Sequence, residues 1–373
     1  MNLPTIQKAS SIKSLLRFFY RILLGIYVSL SSIKRKKDNK IITKKIFFGG
    51  ARSGDMGGPL VKVKRLKHVF GEKYFRYNLL YVLSNAVYLP KYAYELIKKR
   101  GIPIVQNQNG VFYKGWYEGD WERENKRMSV PYHLADYVIY QSKFCQNAAE
   151  TYLGERIGKS EILYNAVDTN YFKPHKKEVT SNSAFTFLLS GRIGSHLSYR
   201  VESALKSLAE VISEGLNAKL IISGRLDREV KDVSEKLISK LHLKSVITFT
   251  GAYTQEEAPF IYNNADAYIM TKHNDPCPNT VIEALSCGLP IIYSDTGGVP
   301  ELVGDNAGIA VKCEDDWDNA QVPDEAEIAE GMIVVAQNHS EMSNAARNRA
   351  VEKYDIKHWI DRHKAIFTEV LSK

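Results

Sequence analysis

Between Thr271 and Glu301 the chain reads TKHNDPCPNTVIEALSCGLPIIYSDTGGVPE, and this stretch holds the residues best suited to chemistry. Two carboxylates, Asp275 and Glu283, bracket the start of a helix. Pro276 and Pro278 keep the approach extended, and Asn279 or Thr280 suits the N-cap of a helix reaching Cys287. Gly288 ends that helix, Pro290 prevents its continuation, and Leu289–Tyr293 enters a strand. The backbone N–H groups of Thr280–Ile282 lack partners within the helix and suit an anion such as a diphosphate. Glu283, one turn in, can accept from ribose hydroxyls, as acidic residues do in dinucleotide-binding folds. Asp275 can meet hydroxyls of whatever is attached to the phosphate. A plainer reading uses the same letters: Thr280-x-x-Glu283 is also a capping box, with Glu283 accepting from the Thr280 N–H.

These residues need a scaffold. From Lys44 onward, short β-branched or aromatic runs alternate with helical stretches, the pattern of βαβ units and parallel sheets. Strands are expected at Lys45–Gly49, Asn78–Val82, Pro103–Asn107, Tyr137–Gln141 and Glu161–Tyr164. A polar, aperiodic linker covers Asp168–Ala184. A second series follows at Phe185–Leu189, Lys219–Ser223, Val246–Phe249, Ala267–Met270, Pro290–Tyr293 and Ile309–Val311. Helices are expected between strands, including Tyr92–Lys99, Phe144–Tyr152, Val201–Ile212, Val230–Leu241 and Thr280–Cys287. Two α/β halves joined by one linker imply a cleft faced by the carboxyl ends of both sheets, where such folds bind ligands. A last helix, near Ile356–Leu371, is free to pack back on either half.

The order acid, seven residues, Glu, then Ala-Leu-Ser-Cys-Gly-Leu-Pro, then Thr-Gly-Gly-Val-Pro-Glu resembles the signature of the retaining glycosyltransferases of family 4. The resemblance implies the GT-B fold, two Rossmann-like domains whose parallel sheets face an interdomain cleft. It extends over most of residues 45–372. Tyr164-Asn165-Ala166-Val167-Asp168, followed by Phe172, resembles the segment closing the family's N-terminal domain. Thr250-Gly251 with Tyr262 and Ala265-Asp266 matches a later element. Gly191-Arg192 resembles the pair whose Arg binds the donor diphosphate, and Gly57-Gly58 the glycines whose backbone approaches it. The implied catalytic residues are Glu283, on the donor ribose, and Asp275, which stands where the family usually has Glu against the donor sugar. The implied donor contacts are Gly57, Gly58, Arg192, Asn279, Thr280, Val281, Ile282 and Glu283. The implied division is an arm (1–43), an acceptor-side domain (44–178), a nucleotide-sugar domain (179–354) and a C-terminal helix (355–373).

This chain departs from the family in two places. The family has a Lys soon after the Arg; Ile193–Arg200 holds none, leaving Arg200 or His196 as a substitute cation, or Arg200 as a solvated helix-start residue. Many members carry a His facing the reacting sugar, where this chain has Gln106-Asn107-Gln108-Asn109. The aromatic stretch Gly110–Trp121 is either an acceptor platform or buried packing. The implied reaction moves a sugar from a nucleotide-sugar donor to a saccharide or lipid-linked acceptor with retention of configuration, in cell-surface polysaccharide synthesis. It needs no cofactor and no metal: Arg192, the Asn279–Ile282 helix start and the Gly57-Gly58 backbone would stabilise the leaving diphosphate. The one DxD-like string, Asp316-Trp317-Asp318, reads as a solvated loop. The alternative is a catalytically silent sugar-nucleotide-binding or membrane-scaffold protein of the same fold.

Charge separates the arm from the body. The 373 residues carry 51 Lys and Arg against 42 Asp and Glu, a net +9, yet residues 1–45 alone hold 11 basic residues and one acid. The remainder is near neutral, which disfavours a nucleic-acid-binding core. In LLRFFYRILLGIYVSLSS, Arg17 and Arg21 interrupt a run too short to span a bilayer, and Lys34-Arg35-Lys36-Lys37 follows. An interfacial helix over residues 12–37 is expected, apolar side chains in the headgroup boundary and basic ones on anionic lipid. A helix packed on the protein itself is the other reading. Four cysteines without a CxxC (Cys145, Cys277, Cys287, Cys313) suit a reducing compartment, so the expected location is cytoplasmic, peripheral on the inner face of the cell membrane.

Overall fold

A computed structural model describes residues 11–32, 43–49, 51, 53–54, 58–84, 89–175 and 183–372. Its first sheet holds β1 (Ile46–Phe47), β2 (Leu79–Leu83), β3 (Ile104–Gln108), β4 (Tyr137–Tyr140) and β5 (Lys159–Ile162), parallel and side by side in chain order. Every residue of β2, β3 and β4 is buried, as a parallel sheet covered on both faces requires. β3 is unusual for a buried strand because it ends in Gln106-Asn107-Gln108. Buried amides need partners, and Gln106 Nε2 donates to Gln108 Oε1 at 2.8 Å.

The second sheet holds β6 (Phe185–Ser190), β7 (Ala218–Ser223), β8 (Ile247–Gly251), β9 (Ala267–Met270), β10 (Ile291–Ser294) and β11 (Gly308–Val311). Its order is β8-β7-β6-β9-β10-β11, all parallel, so the winding reverses between β6 and β9. A reversal opens a crevice at the carboxyl ends of the two strands, the usual ligand position in doubly wound sheets. The two parallel-sheet α/β units make this a GT-B fold.

Between the sheets the chain is tied down early. Phe172 enters the core of the second unit, and the His175 N–H donates to Asn263 Oδ1 at 2.7 Å. The chain then returns: Val167 N–H donates to Tyr354 O and Ile356 N–H to Val167 O, each at 2.9 Å. This carries the Ile356–Ser372 helix onto the first sheet, where Trp359, Ile366, Phe367 and Val370 pack on Ile46, Phe48, Val105 and Ile139. His363 Nδ1 donates to the Trp359 carbonyl, so its Nε2 accepts from Tyr81 Oη at 3.2 Å inside this core. At the other end, the Ser11–Ser31 helix lies on the Lys91–Lys99 helix. Gly25 permits the close approach, since a Cβ there would stand 2.5 Å from Tyr92 Oη.

Candidate functional site

The second unit builds one wall of the site at the β6–β9 crevice. The loop after β9 reaches the Asn279–Ser286 helix, whose N-cap is Pro278, and no side chain accepts from its first turn. That leaves an uncapped, partly positive helix start. Val281 and Ile282 bury their side chains in the core, and the Val281 N–H already donates to the Pro278 carbonyl at 3.2 Å, which leaves the Asn279 and Thr280 N–H groups as the open ones of the first turn. Thr280 is half-buried, and Asn279 holds a buried Oδ1 with no partner.

Glu283 is not part of a capping box. Its side chain turns away from Thr280: Oε1 accepts from Gln255 Nε2 at 3.2 Å and Oε2 from Tyr262 Oη at 3.1 Å. The residue is 3% exposed, and burial raises its pKa against the opposing pull of Gln255, the Arg65 guanidinium and Tyr262. Asp275 pairs with Lys272 Nζ at 2.7 Å through Oδ2, while Oδ1 accepts from the Cys277 N–H at 3.3 Å. Behind it, the TGGVPE loop presses close. Gly297 has φ +71°, and a Cβ there would lie 2.6 Å from Asp275 O, which fixes glycine at that position.

The two arginines part ways. Arg192 is exposed and makes no hydrogen bond or ion pair among the described residues. Arg200 is 3% exposed and fills the crevice, its Nη2 at 3.5 Å from Ser190 O and 3.7 Å from Met270 Sδ, and its Nε unpartnered. These contacts are long for a guanidinium and include no carboxylate.

The first unit supplies the facing wall. Gly57 lies outside the described residues. Gly58 opens the Gly58–Phe70 helix directly opposite Asn279, whose Nδ2 would be 3.7 Å from a Cβ on that glycine. One turn on, Lys62 Nζ donates to Asn107 Oδ1 at 2.6 Å and to Asn109 Oδ1 at 3.3 Å, with the Gln141 amide against it. Burial pushes this ammonium down to about 7, the largest of several influences that include Cys277, Cys145 and Arg65. Arg65 donates to the Ala166 carbonyl and lies within electrostatic reach of Glu283. Gly58, Lys62, Arg65, Asn165, Ala166, Asn279 and Trp359 enclose a cavity of about 10 Å³, space for about one water. Reading the segment for its glycines alone passes over Lys62 and Arg65. The signal was their i+4 and i+7 spacing from Gly58, which sets all three on one helix face.

A clasp holds the walls together. The Glu301 carboxylate accepts from the Lys143 N–H at 2.7 Å and the Phe144 N–H at 2.8 Å, at the start of the Lys143–Leu153 helix, and from Tyr164 Oη at 3.2 Å. Asn165 Nδ2 donates to Cys277 O at 2.9 Å. The expected solvated loop around Asp316-Trp317-Asp318 is instead docked: Trp317 stacks on Phe144 (centroids 5.1 Å, 14° apart) and meets Tyr113 edge-on at 4.8 Å. Its carbonyl accepts from the Gly115 N–H at 2.8 Å. Asp316 closes a turn by accepting from the Asp318 and Asn319 N–H groups. The aromatic stretch is divided between uses, with Tyr113 buried and Trp116 48% exposed.

Residues 172–349 match the model of the family described as Glycosyl transferases group 1, just under half of the chain. An uncharacterized glycosyltransferase of Methanocaldococcus jannaschii is 28% identical over 172 residues, covering 44% of this chain and 41% of that protein. The chain spans about half the length of the curated relatives it matches. Among solved structures, the sucrose-phosphate synthase of Thermosynechococcus elongatus superposes with a TM-score of 0.62 at 15% identity, covering 95% of this chain and 93% of that one. HepE of Anabaena, solved in complex with UDP, gives 0.61 at 17% identity, covering 83% and 82%. The match to the Glycosyl transferases group 1 model falls on the second unit and the segment leading into it, and the solved structures share the two-unit GT-B fold.

Proposed function

We propose that the protein transfers a sugar from a nucleotide-sugar donor to a saccharide or lipid-linked acceptor, with retention of anomeric configuration and without a metal. The observation that carries this reading is a buried carboxylate, Glu283, one turn inside an uncapped helix start that faces Gly58 across a seam. A helix start of this kind suits a diphosphate, and a carboxylate just behind it suits a ribose. The UDP and UDP-glucose complexes of HepE support a donor of this class. In this reading Glu283 takes the ribose, Asp275 the donor sugar once Lys272 yields, and Arg192 or Arg200 the diphosphate. The cavity between Gly58, Lys62, Arg65 and Asn279 holds about one water, so a diphosphate at this spot requires the two walls to part.

The test is a panel of nucleotide sugars offered with saccharide acceptors. One donor should release its nucleoside diphosphate and raise the melting temperature, since a ligand of the folded state stabilises it by mass action. A melting shift without release would favour a silent binding protein, and neither response would end the proposal.

The acceptor is proposed to lie at a bilayer, with cell-surface polysaccharide synthesis on the inner face of the cell membrane as the setting. The Ser11–Ser31 helix buries Val28 and anchors through Arg100, whose Nη1 and Nη2 donate to Ser29 O and Ser32 O at 2.6 and 2.7 Å. Its outer stripe leaves Leu15, Leu16, Phe18, Phe19, Leu23 and Leu30 exposed. No helix among the described residues is long and apolar enough to cross a membrane, so the stripe would lie in the interface. Lys34–Lys37 lie outside the described residues. Deleting residues 1–40 should abolish co-sedimentation with anionic vesicles, and unchanged partitioning would refute membrane contact.

A further inference from the structure

We propose that Lys62 and Arg65, carried by the first unit, form the second half of the diphosphate site and supply the cation missing after Arg192. The proposal rests on the nucleotide-sugar reading above. Lys62 is 4% exposed, and neither it nor Arg65 forms a salt bridge among the described residues. Among the described residues Lys62 is held by neutral amides and Arg65 by one carbonyl, with Glu283 and Asp168 in electrostatic reach of the guanidinium. A buried cation held this way is costly unless an anion arrives to balance it.

Three further features place that anion at this cavity. The uncapped start of the Asn279–Ser286 helix forms the opposite wall, so dipole and side-chain charges converge from both units. Gly58, on the same helix face as Lys62 and Arg65, leaves the space beside Asn279 without a side chain. Asn279 already turns its amide NH₂ toward Gly58, where it can donate to an incoming phosphate oxygen, and its buried Oδ1 has no partner. Arg65 has a second duty. It faces Glu283, so a donor bridging the units would set ribose and diphosphate on one charged pair.

The division of labour follows. The second unit holds the nucleoside through Glu283, while the first closes on the phosphates with Lys62 and Arg65. Charge on the leaving diphosphate would therefore be met only when the seam is shut, which couples closure to bond breaking.

The test titrates the full-length protein with the diphosphates of uridine, guanosine, adenosine and thymidine, each beside its own nucleoside. Lys62→Met and Arg65→Gln should each weaken the diphosphate that binds wild type by about 10-fold or more, the scale of one charge-assisted contact. Nucleoside binding should stay unchanged in Lys62→Met, and Lys62→Arg should restore part of the loss. Melting curves confirm that each variant folds, and Arg65→Gln tests the idea by itself if Lys62→Met does not. Diphosphate affinity unchanged in both variants overturns the inference and leaves the proposed function standing. A wild-type protein that binds none of the four diphosphates removes both.

Discussion

Exchanging Glu283 for Gln is expected to lower kcat/KM for transfer by about 100-fold or more, the scale of one preorganised contact removed from a buried site. The carboxyl is buried and its two oxygens are taken by Gln255 and Tyr262, with the Arg65 guanidinium in electrostatic reach, so solvent cannot readily replace it. Gln keeps the volume and can still accept from Tyr262, which makes it the cleaner variant. Ala would also strand the Tyr262 hydroxyl and uncover Arg65, at a stability cost of about 1–3 kcal/mol. Turnover of both variants should be read beside their thermal unfolding. Wild-type kcat/KM in a folded Glu283→Gln protein would return the residue to a purely structural role.

The second large effect is expected at the clasp. Glu301→Ala should reduce the unfolding free energy by about 2–4 kcal/mol, because one carboxylate serves two N–H groups at a helix start and a tyrosine hydroxyl besides. Urea unfolding measures this, and an unshifted midpoint would show that the clasp contributes nothing. Trp317→Ala should also destabilise, by about 1–3 kcal/mol, through lost stacking on Phe144 and Tyr113. Phe144 serves both grips, its ring to Trp317 and its N–H to Glu301, so the double variant should depart from the sum of the two. A loosened seam should also slow transfer, since closure brings the two walls of the site together.

Much of this arrangement was legible in the sequence where neighbours in the chain are neighbours in space. All eleven strands lie within two residues of their expected positions, because the buried central strands leave short apolar runs between turn residues and even the more exposed β5 and β8 sit between clear helix and turn signals. The Asn279–Ser286 wall was readable for the same reason, since one continuous stretch carries its approach, its helix and its stop. The facing wall was not. Lys62, Asn107, Asn109 and Gln141 come from a helix and two strand ends, and only the sheet order shows that they converge. Trp317 was hidden by its acidic neighbours, which suggested solvent, whereas the ring between them finds an apolar seat across the seam. Capping and ribose binding could not be separated for Glu283 until Gln255 and Tyr262 were seen to take its oxygens.

The return of the last helix to the first sheet has a consequence for how the chain is made. Ile46, Phe48, Val105 and Ile139 are synthesised before the second sheet, but the helix that covers them is synthesised after it. At about 5–20 residues per second, roughly ten seconds or more separate β5 from that cover. Until then the nascent first half presents a sheet face covered only in part, by Val63, Leu66 and Phe70 of the Gly58–Phe70 helix, a substrate for chaperones that hold unfinished chains. Order of birth and order of maturation are therefore reversed: the sheet made first is completed after the one made second.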